Sequence, residues 1–229
     1  MIVSTNQPYF APYPGFFYKA YLSDCFVILD DVQFPRKTTW ITRNRFKNDQ
    51  GTLWLTIPVR KKGLGYQKIR QVKTCDTGNW RQKFLRSFYQ AYAHAPYLRD
   101  HVGLMEKALS LPSARLLDLN MTIITAVLEF LGIETRVVQM SELGVTGKGT
   151  SLIVDICREL GADRFLVQSS AMPHYPPADF AAAGIERISF TKPDTIYPQM
   201  WGDFIANLSV IDMIFTCGEK TRDIVLRSR

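Results

Sequence analysis

The chain has 229 residues, 46% of them hydrophobic, enough to bury the core of one larger domain without disulfide or metal staples. No apolar run approaches the ~20 residues that span a bilayer, which excludes a helical membrane protein. Net charge is +7 but local: between Arg36 and Lys73 eleven Lys and Arg accompany one acid, Asp49, leaving the rest of the chain at −3.

MIVSTNQP has no basic segment ahead of an apolar one, so it reads as a first strand rather than a secretory leader, and a cytoplasmic location is expected. After IVSTN comes a loop with three prolines and a glycine between Pro8 and Gly15. FFYKAYLSD is expected as a short helix with Lys19 and Asp24 outward, and CFVILDD as a strand apolar on both faces that ends in two carboxylates. Such a strand suits a parallel sheet covered on both sides, whose functional groups gather at the strands' carboxyl ends. Asn6, Gln7, Asp30 and Asp31 fall at such ends.

From Thr38 to Val72 apolar residues alternate with basic or polar ones, with turn signals at 48–51 and 63–65, so the spacing predicts a β-hairpin or three-stranded meander. NWRQKFLRSFYQAYAHAPYL predicts a helix with Asn79 as N-cap and Trp80, Phe84, Phe88, Ala91 and Tyr92 on one stripe. HVGLMEKALS and SARLLDLNMTIITAVLEFLG continue the helical segment, the second closed by Gly132. An α/β rhythm then returns: TRVVQM strand, GKGTSLIVDICRELG helix, DRFLVQS strand, PADFAAAG helix, RISFT strand. DFIANLSVIDMIFTCG predicts a last helix with Phe204, Leu208, Ile211 and Phe215 buried and Asp212 at the margin of that stripe, where it needs an arginine or a substrate group as partner. The fold class is α/β: a Rossmann-like, mostly parallel sheet in one domain over 1–229, with a basic β-insertion at 36–75 and a helical segment at 79–131.

Adjacent Asp30 and Asp31 point to opposite faces of a strand and cannot share one proton; one of them is a candidate base or acceptor, the alternative being a cap of the following turn. In an extended segment Arg43 and Arg45 share a face and Asn44 takes the other, which makes a two-guanidinium clamp for phosphate or carboxylate that Lys47 extends, or else a charged sheet edge. GVTGKGTS (144–151) has Glu142 where a P-loop requires glycine. It is therefore either a looser anion cradle with Lys148 or a turn with Thr150 or Ser151 as N-cap. His174 follows a strand end with Ser169 and Ser170, but a Ser-His-Asp device there lacks GxSxG. The four cysteines show no CxxC or metal-ligand spacing, and read as reduced thiols with no metal site. The basic segment, interleaved with Trp40, Phe46, Trp54 and Tyr66, suits an anion site, a nucleic-acid track or a solvated face.

Taken together, NQPYFAPYPGFFYK, VILDDVQF, WITRNRFK, WLTIPV, NWRQKFL, SELGVTGKGTSLIVDICRELGAD and YPQMWGDFIANLSVIDMIFTCG resemble the WbqC-like family almost end to end. Family members usually open with His-Gln-Pro where this chain has Asn6-Gln7-Pro8, and carry a Ser-Gly loop and Tyr-Leu-Asp where it has QSSAMPHYPPADF. The opening topology is also similar to pantothenate synthetase and other HxGH nucleotidylyltransferase-like folds, but the matching tetrad, Tyr13-Pro14-Gly15-Phe16, lacks both signature histidines.

The family resemblance implies a transferase of a small acyl or aminoacyl group, glycyl for example, to a sugar or other polar acceptor in O-antigen, other surface-polysaccharide or specialised-metabolite biosynthesis. On that expectation Gln7, Gln33 and Asp30 or Asp31 position and deprotonate the acceptor, with Asn6 in the place of the family histidine. Arg43, Asn44, Arg45 and Lys148, with Ser169 and His174 nearby, hold an anionic donor such as a nucleotide sugar or activated acyl compound, and Tyr9 and Trp40 stack on a ring. The expectation from another class is a non-catalytic RNA- or nucleotide-binding module built on residues 36–73. A homo-oligomer is compatible with either, and no cofactor is named by the residues.

Overall fold

The computed structural model describes residues 1–226 apart from 38, 76, 112–113 and 193. Thr38 and Ser113, where two of the expected segments begin, therefore lie outside the described residues.

Five parallel strands, β1 (Ile2–Asn6), β2 (Cys25–Ile28), β5 (Arg136–Gln139), β6 (Arg164–Gln168) and β7 (Glu186–Phe190), form one sheet in the order β5-β2-β1-β6-β7. Between β2 and β5 the chain inserts an antiparallel pair, β3 (Arg43–Asn48) and β4 (Gly51–Thr56), which forms a separate two-stranded sheet. The architecture is a Rossmann-like α/β fold, as the apolar strand runs lead one to expect. Within β2, Phe26 and Ile28 face one apolar layer and Cys25 and Val27 the other, the alternation that a pleated strand imposes.

Helices α1 (Pro14–Tyr21) and α5 (Leu116–Phe130) pack on the first face; α6 (Gly149–Glu159) and α7 (Pro177–Ala181) cover the second. The chain thus leaves β1 toward one face and β6 toward the other. Neighbouring strands whose connections part in this way open a crevice at their carboxyl ends, the topological switch point of a doubly wound sheet. The insertion contributes α2 (Trp80–Tyr92), α3 (Leu98–His101) and α4 (Gly103–Ser110), which join the first layer, as do α8 (Val210–Cys217) and α9 (Lys220–Leu226) near the C-terminus.

Several expectations need correction. Of the two forms expected for the 36–75 segment, the structure shows the hairpin: among the described residues, isolated bridges such as Val59 with Thr74 are the pairing beyond β4. Asn79 precedes α2, but its side chain makes no capping bond. Helix α8 begins at Val210 rather than Asp203, because Asn207 adopts φ 58°, a left-handed conformation that no helix continues through, and Ser209 then caps the new start by accepting from the Ile211 N–H at 3.2 Å. Phe204, expected in the buried stripe, is exposed. Asp212 is fully buried, and its carboxylate accepts from Tyr92 Oη at 2.7 Å and Tyr197 Oη at 2.6 Å, so the partner is neither arginine nor substrate.

The proline-rich loop after β1 is held by the insertion. Asn44, buried on β3, donates to the carbonyls of Phe10 (2.9 Å) and Ala11 (2.6 Å) and accepts from the Arg45 N–H (2.7 Å). Asn120 on α5 donates to the Pro8 and Ile41 carbonyls, each at 2.8 Å. The clamp holds Ala11 at φ 39°, an unfavourable conformation for alanine outside such restraint. A buried polar group left without a partner costs about 1–3 kcal/mol. Asn44→Ala is therefore expected to lose at least about 2 kcal/mol of stability in urea unfolding; a change within experimental error contradicts the clamp.

Candidate functional site

The switch point between β1 and β6 is occupied by three adjoining depressions that share lining residues and form one continuous crevice. The central lobe, about 390 Å³, is lined by Asn6 and Gln7 from the end of β1, Lys19 from α1, Gln168 from the end of β6, and Tyr9, Tyr13 and Tyr175. Toward the insertion it continues, through Tyr9, Tyr13 and Gln168, into a lobe of about 290 Å³ with Trp40, Arg45, Lys192 and Asn207. Through Gln7 and Tyr175 it meets a third lobe of about 630 Å³ with Gln33, Lys148, Thr150 and His174. Volumes of this order are those of small-molecule sites.

Gly15 shows how tightly the central wall is built. Pro14 and Gly15 open α1, and a Cβ on Gly15 would lie 2.5 Å from the Tyr13 ring and 3.4 Å from Lys192 Cβ. Glycine is required there so that Tyr13 can lie across the helix start and reach Gln168 Oε1 at 3.4 Å.

The electrostatics are one-sided. Arg45, Lys192, Lys19 and Lys148 line the crevice, and among the described residues no Asp or Glu lines it. Arg45 donates from Nη2 to the Ala206 and Asn207 carbonyls at 3.0 and 2.8 Å, lies over the Trp40 ring, and keeps a buried Nε without a hydrogen-bond partner. Lys192 donates to Asn207 Oδ1. Half-buried Lys19 donates from Nζ to the Thr5 carbonyl at 2.7 Å, makes no ion pair among the described residues, and burial pulls its pKa down to about 8. Burial likewise raises Tyr9 and Tyr175 above the usual phenol range and pushes Tyr13 up to about 12, so the ring hydroxyls stay protonated donors.

At α6 the chain turns through Gly147 and Gly149, both at positive φ, and the helix starts at Gly149 with no side-chain cap. Thr150 and Ser151 lie inside the first turn instead of capping it. Lys148 is exposed at the lip of the lobe. Among the described residues, no group of three or more His, Cys, Asp or Glu side chains is gathered where a metal ion could sit.

The crevice therefore brings together Asn6, Gln7, Tyr9, Gln33, Trp40, Asn44, Arg45, Lys148 and His174 of the residues singled out in the sequence, though Asn44 serves as the buried loop clamp. It does not include the others. Asp30 is fully buried, with its carboxylate accepting from the Ser141 N–H (2.9 Å) and Oγ (2.6 Å), which fastens the end of β2 to the turn after β5. Asp31 pairs with Lys68 Nζ at 2.6 Å and with Arg70 Nε, tying the β2 end to the basic segment. Arg43 lies 4.1 Å from the Trp54 ring centroid, outside the crevice lining, so the two guanidinium groups do not form a clamp. Lys47 does not extend such a face: it is buried, with Nζ on the Asp203 carbonyl (2.6 Å) and Gln199 Oε1 (3.1 Å). Ser169 donates to the Phe190 carbonyl at 2.8 Å, bracing the ends of β6 and β7.

The sequence reading missed Lys19, Tyr13, Gln168, Tyr175, Lys192 and Asn207. Lys19 carried a signal, since it lies three residues after buried Phe16 and directly before buried Ala20, at the edge of the apolar face. Lys192 and Asn207 carried none, because an irregular segment delivers them.

The Asp31 pairs set a pH dependence. Burial pushes the Asp31 carboxyl up, but the hydrogen bonds and charges of Lys68 and Arg70 outweigh it and hold the pKa below the ordinary carboxylate value. Stability from these pairs is complete above an unfolded pKa of about 3.9 and disappears as pH falls through the lower native value. Asp31→Asn should therefore flatten the acid limb of a stability–pH curve below about pH 4; an unchanged acid limb contradicts the pairing.

No helix among the described residues is long and apolar enough to cross a membrane. No solved structure matches this chain. A curated relative, the uncharacterized protein Rv1507c of Mycobacterium tuberculosis (strain ATCC 25618 / H37Rv), is 29% identical over 226 residues, covering 96% of each chain. The WbqC-like protein family model matches residues 7–224, which include most of the crevice lining, and the chain belongs to that family.

Proposed function

We propose that this protein is a cytoplasmic transferase that moves a small acyl or aminoacyl group from an anionic activated donor to a sugar or other polar acceptor, in surface-polysaccharide or specialised-metabolite biosynthesis. The observation that carries the reading is the crevice itself: among the described residues its lining holds Arg45, Lys192, Lys19 and Lys148 and no carboxylate, with tyrosines, tryptophan and amides at the carboxyl ends of β1 and β6. Cations without internal counter-ions favour a phosphate- or carboxylate-bearing ligand, and guanidinium is the better match for planar or tetrahedral oxyanions. In this reading Arg45 and Lys192 hold the anion of the donor, with Tyr9, Tyr13 and Trp40 against its ring, while Lys148 serves a second anionic group. Gln7, Asn6 and Gln168 orient the acceptor by amide hydrogen bonds, which discriminate polar hydroxyl and amine patterns.

A second reading, RNA binding, draws on the face beside the crevice, where Trp40 and Trp54 are both 42% exposed with ring centroids 5.5 Å apart. Exposed aromatics beside arginines are stacking platforms for unpaired bases. RNA affinity would then fall steeply with salt in proportion to phosphates neutralised.

A thermal-shift panel of nucleotide sugars, CoA thioesters, ATP and tRNA, followed by transfer assays on the compounds that stabilise, separates the two. A donor at a hundred times its Kd should stabilise by about 2.7 kcal/mol, and Arg45→Ala should weaken that ligand at least ~10-fold, the cost of one charge-assisted hydrogen bond. Stabilisation by tRNA alone, abolished by moderate salt and unaffected by Arg45→Ala, contradicts the transferase reading.

A further inference from the structure

The residues first considered as bases, Asp30 and Asp31, are committed to Ser141 and to Lys68 and Arg70, and neither lines the crevice. His174 lies exposed in the outer lobe, where no hydrogen bond among the described residues orients its ring. A transfer to a hydroxyl or amine still requires a group that accepts the acceptor's proton. We infer that Lys19 is this group: the general base of the central lobe, acting on an acceptor hydroxyl or amine.

The geometry supports this in three respects. Lys19 projects from α1 to the switch point, where it lines the lobe with Asn6, Gln7 and Gln168. Its Nζ is fixed by one hydrogen bond to the Thr5 carbonyl, which orients the amine and leaves further valences for a ligand. Among the described residues no carboxylate pairs with it, unlike Lys68, which is paired to Asp31. The titratable groups facing the same lobe are Tyr9, Tyr13 and Tyr175, all neutral at pH 8, with Lys192 and Arg45 in the adjoining lobe. Burial away from any carboxylate of the crevice lining brings the amine to about 8, so about a tenth of it is unprotonated at pH 7 and about half at pH 8.

The step is balanced without further reagents, and it rests on the transferase reading above. The neutral Lys19 amine takes the proton of the acceptor N–H or O–H as that atom bonds to the carbonyl carbon of the donor. The bond to the donor's leaving group then breaks, and the leaving group recovers the proton from the Lys19 ammonium. Arg45 and Lys192, already placed against the donor, hold the developing negative charge.

Two measurements test this separately from the overall reaction class. The first is competitive labelling of the native full-length protein with trace acetic anhydride from pH 6 to 11, with each lysine read by peptide mass spectrometry. Lys19 should titrate near pH 8, well below the ~10.4 of an ordinary lysine side chain in water. A Lys19 that stays unlabelled, or that titrates with the exposed lysines, overturns the assignment. The second uses Lys19→Met and Lys19→Arg in the transfer assay once a donor is found. Both should lose 10²–10⁴-fold in kcat, the usual worth of a general base, with Lys19→Arg keeping donor binding and its thermal shift. Full turnover in Lys19→Met overturns the base. Absence of transfer from every donor, with Lys19 still titrating near 8, instead counts against the transferase reading.

Discussion

Everything proposed for this molecule depends on one constraint of the sheet: β1 and β6 are neighbours whose connections run to opposite faces. Their ends cannot be covered by the helices that bury the rest of the sheet, so the polar groups there, Asn6, Gln7 and Gln168, face a gap rather than a core. The aromatic residues of the proline-rich loop divide over the same boundary. Phe10, Phe16 and Phe17 are buried, while Tyr9 and Tyr13, whose hydroxyls tolerate a wet edge, line the crevice. The loop is thus both core and site, and its prolines fix the crossing from one to the other.

A second constraint shapes the wall opposite the sheet. Buried Asp212 gathers the Tyr92 and Tyr197 hydroxyls; Tyr92 Oη also accepts from the Lys47 N–H at 3.1 Å, and Lys47 Nζ holds the Asp203 carbonyl. This polar cluster joins β3, α2, α8 and the irregular stretch before α8. Burial raises the Asp212 carboxyl, while the two tyrosine hydroxyls and the nearby Lys47 charge pull it back, so the cluster is satisfied only as a unit. Its consequence is positional: it anchors the stretch that presents Asn207 to Lys192 and the Ala206 and Asn207 carbonyls to Arg45. The insertion and the C-terminal segment therefore build one lobe between them, and the basic insertion contributes to the site mostly as support.

The parallel sheet was legible because its strands are short apolar runs separated by helices that close on glycine, as at Gly132 with φ 61°. That Gln7 follows a strand end was legible from periodicity, and the structure places it with Tyr9, Trp40 and Arg45 in the crevice lining. The carboxylates misled for a physical reason. A sequence shows that Asp30 and Asp31 end a strand but not that Ser141, more than a hundred residues later, and Lys68 and Arg70 will satisfy them. The same holds for Lys47, which alternation placed on the face of Arg43 and Arg45 and which long-range closure by residues 199–203 buries. Helix α8 was drawn too early because apolar spacing extends back to Phe204, whereas the left-handed Asn207 forbids a helix there.

In the proposed reading, ligand enters between the ends of β1 and β6. Hydrogen–deuterium exchange of the full-length protein with and without saturating pyrophosphate, the anionic core of a nucleotide sugar, tests it most directly. Exchange should slow in residues 6–13, 147–152 and 168–175, with the hairpin turn at 48–51 unchanged. Slowing confined to the exposed basic face within 36–73, with those three segments unaffected, would contradict it.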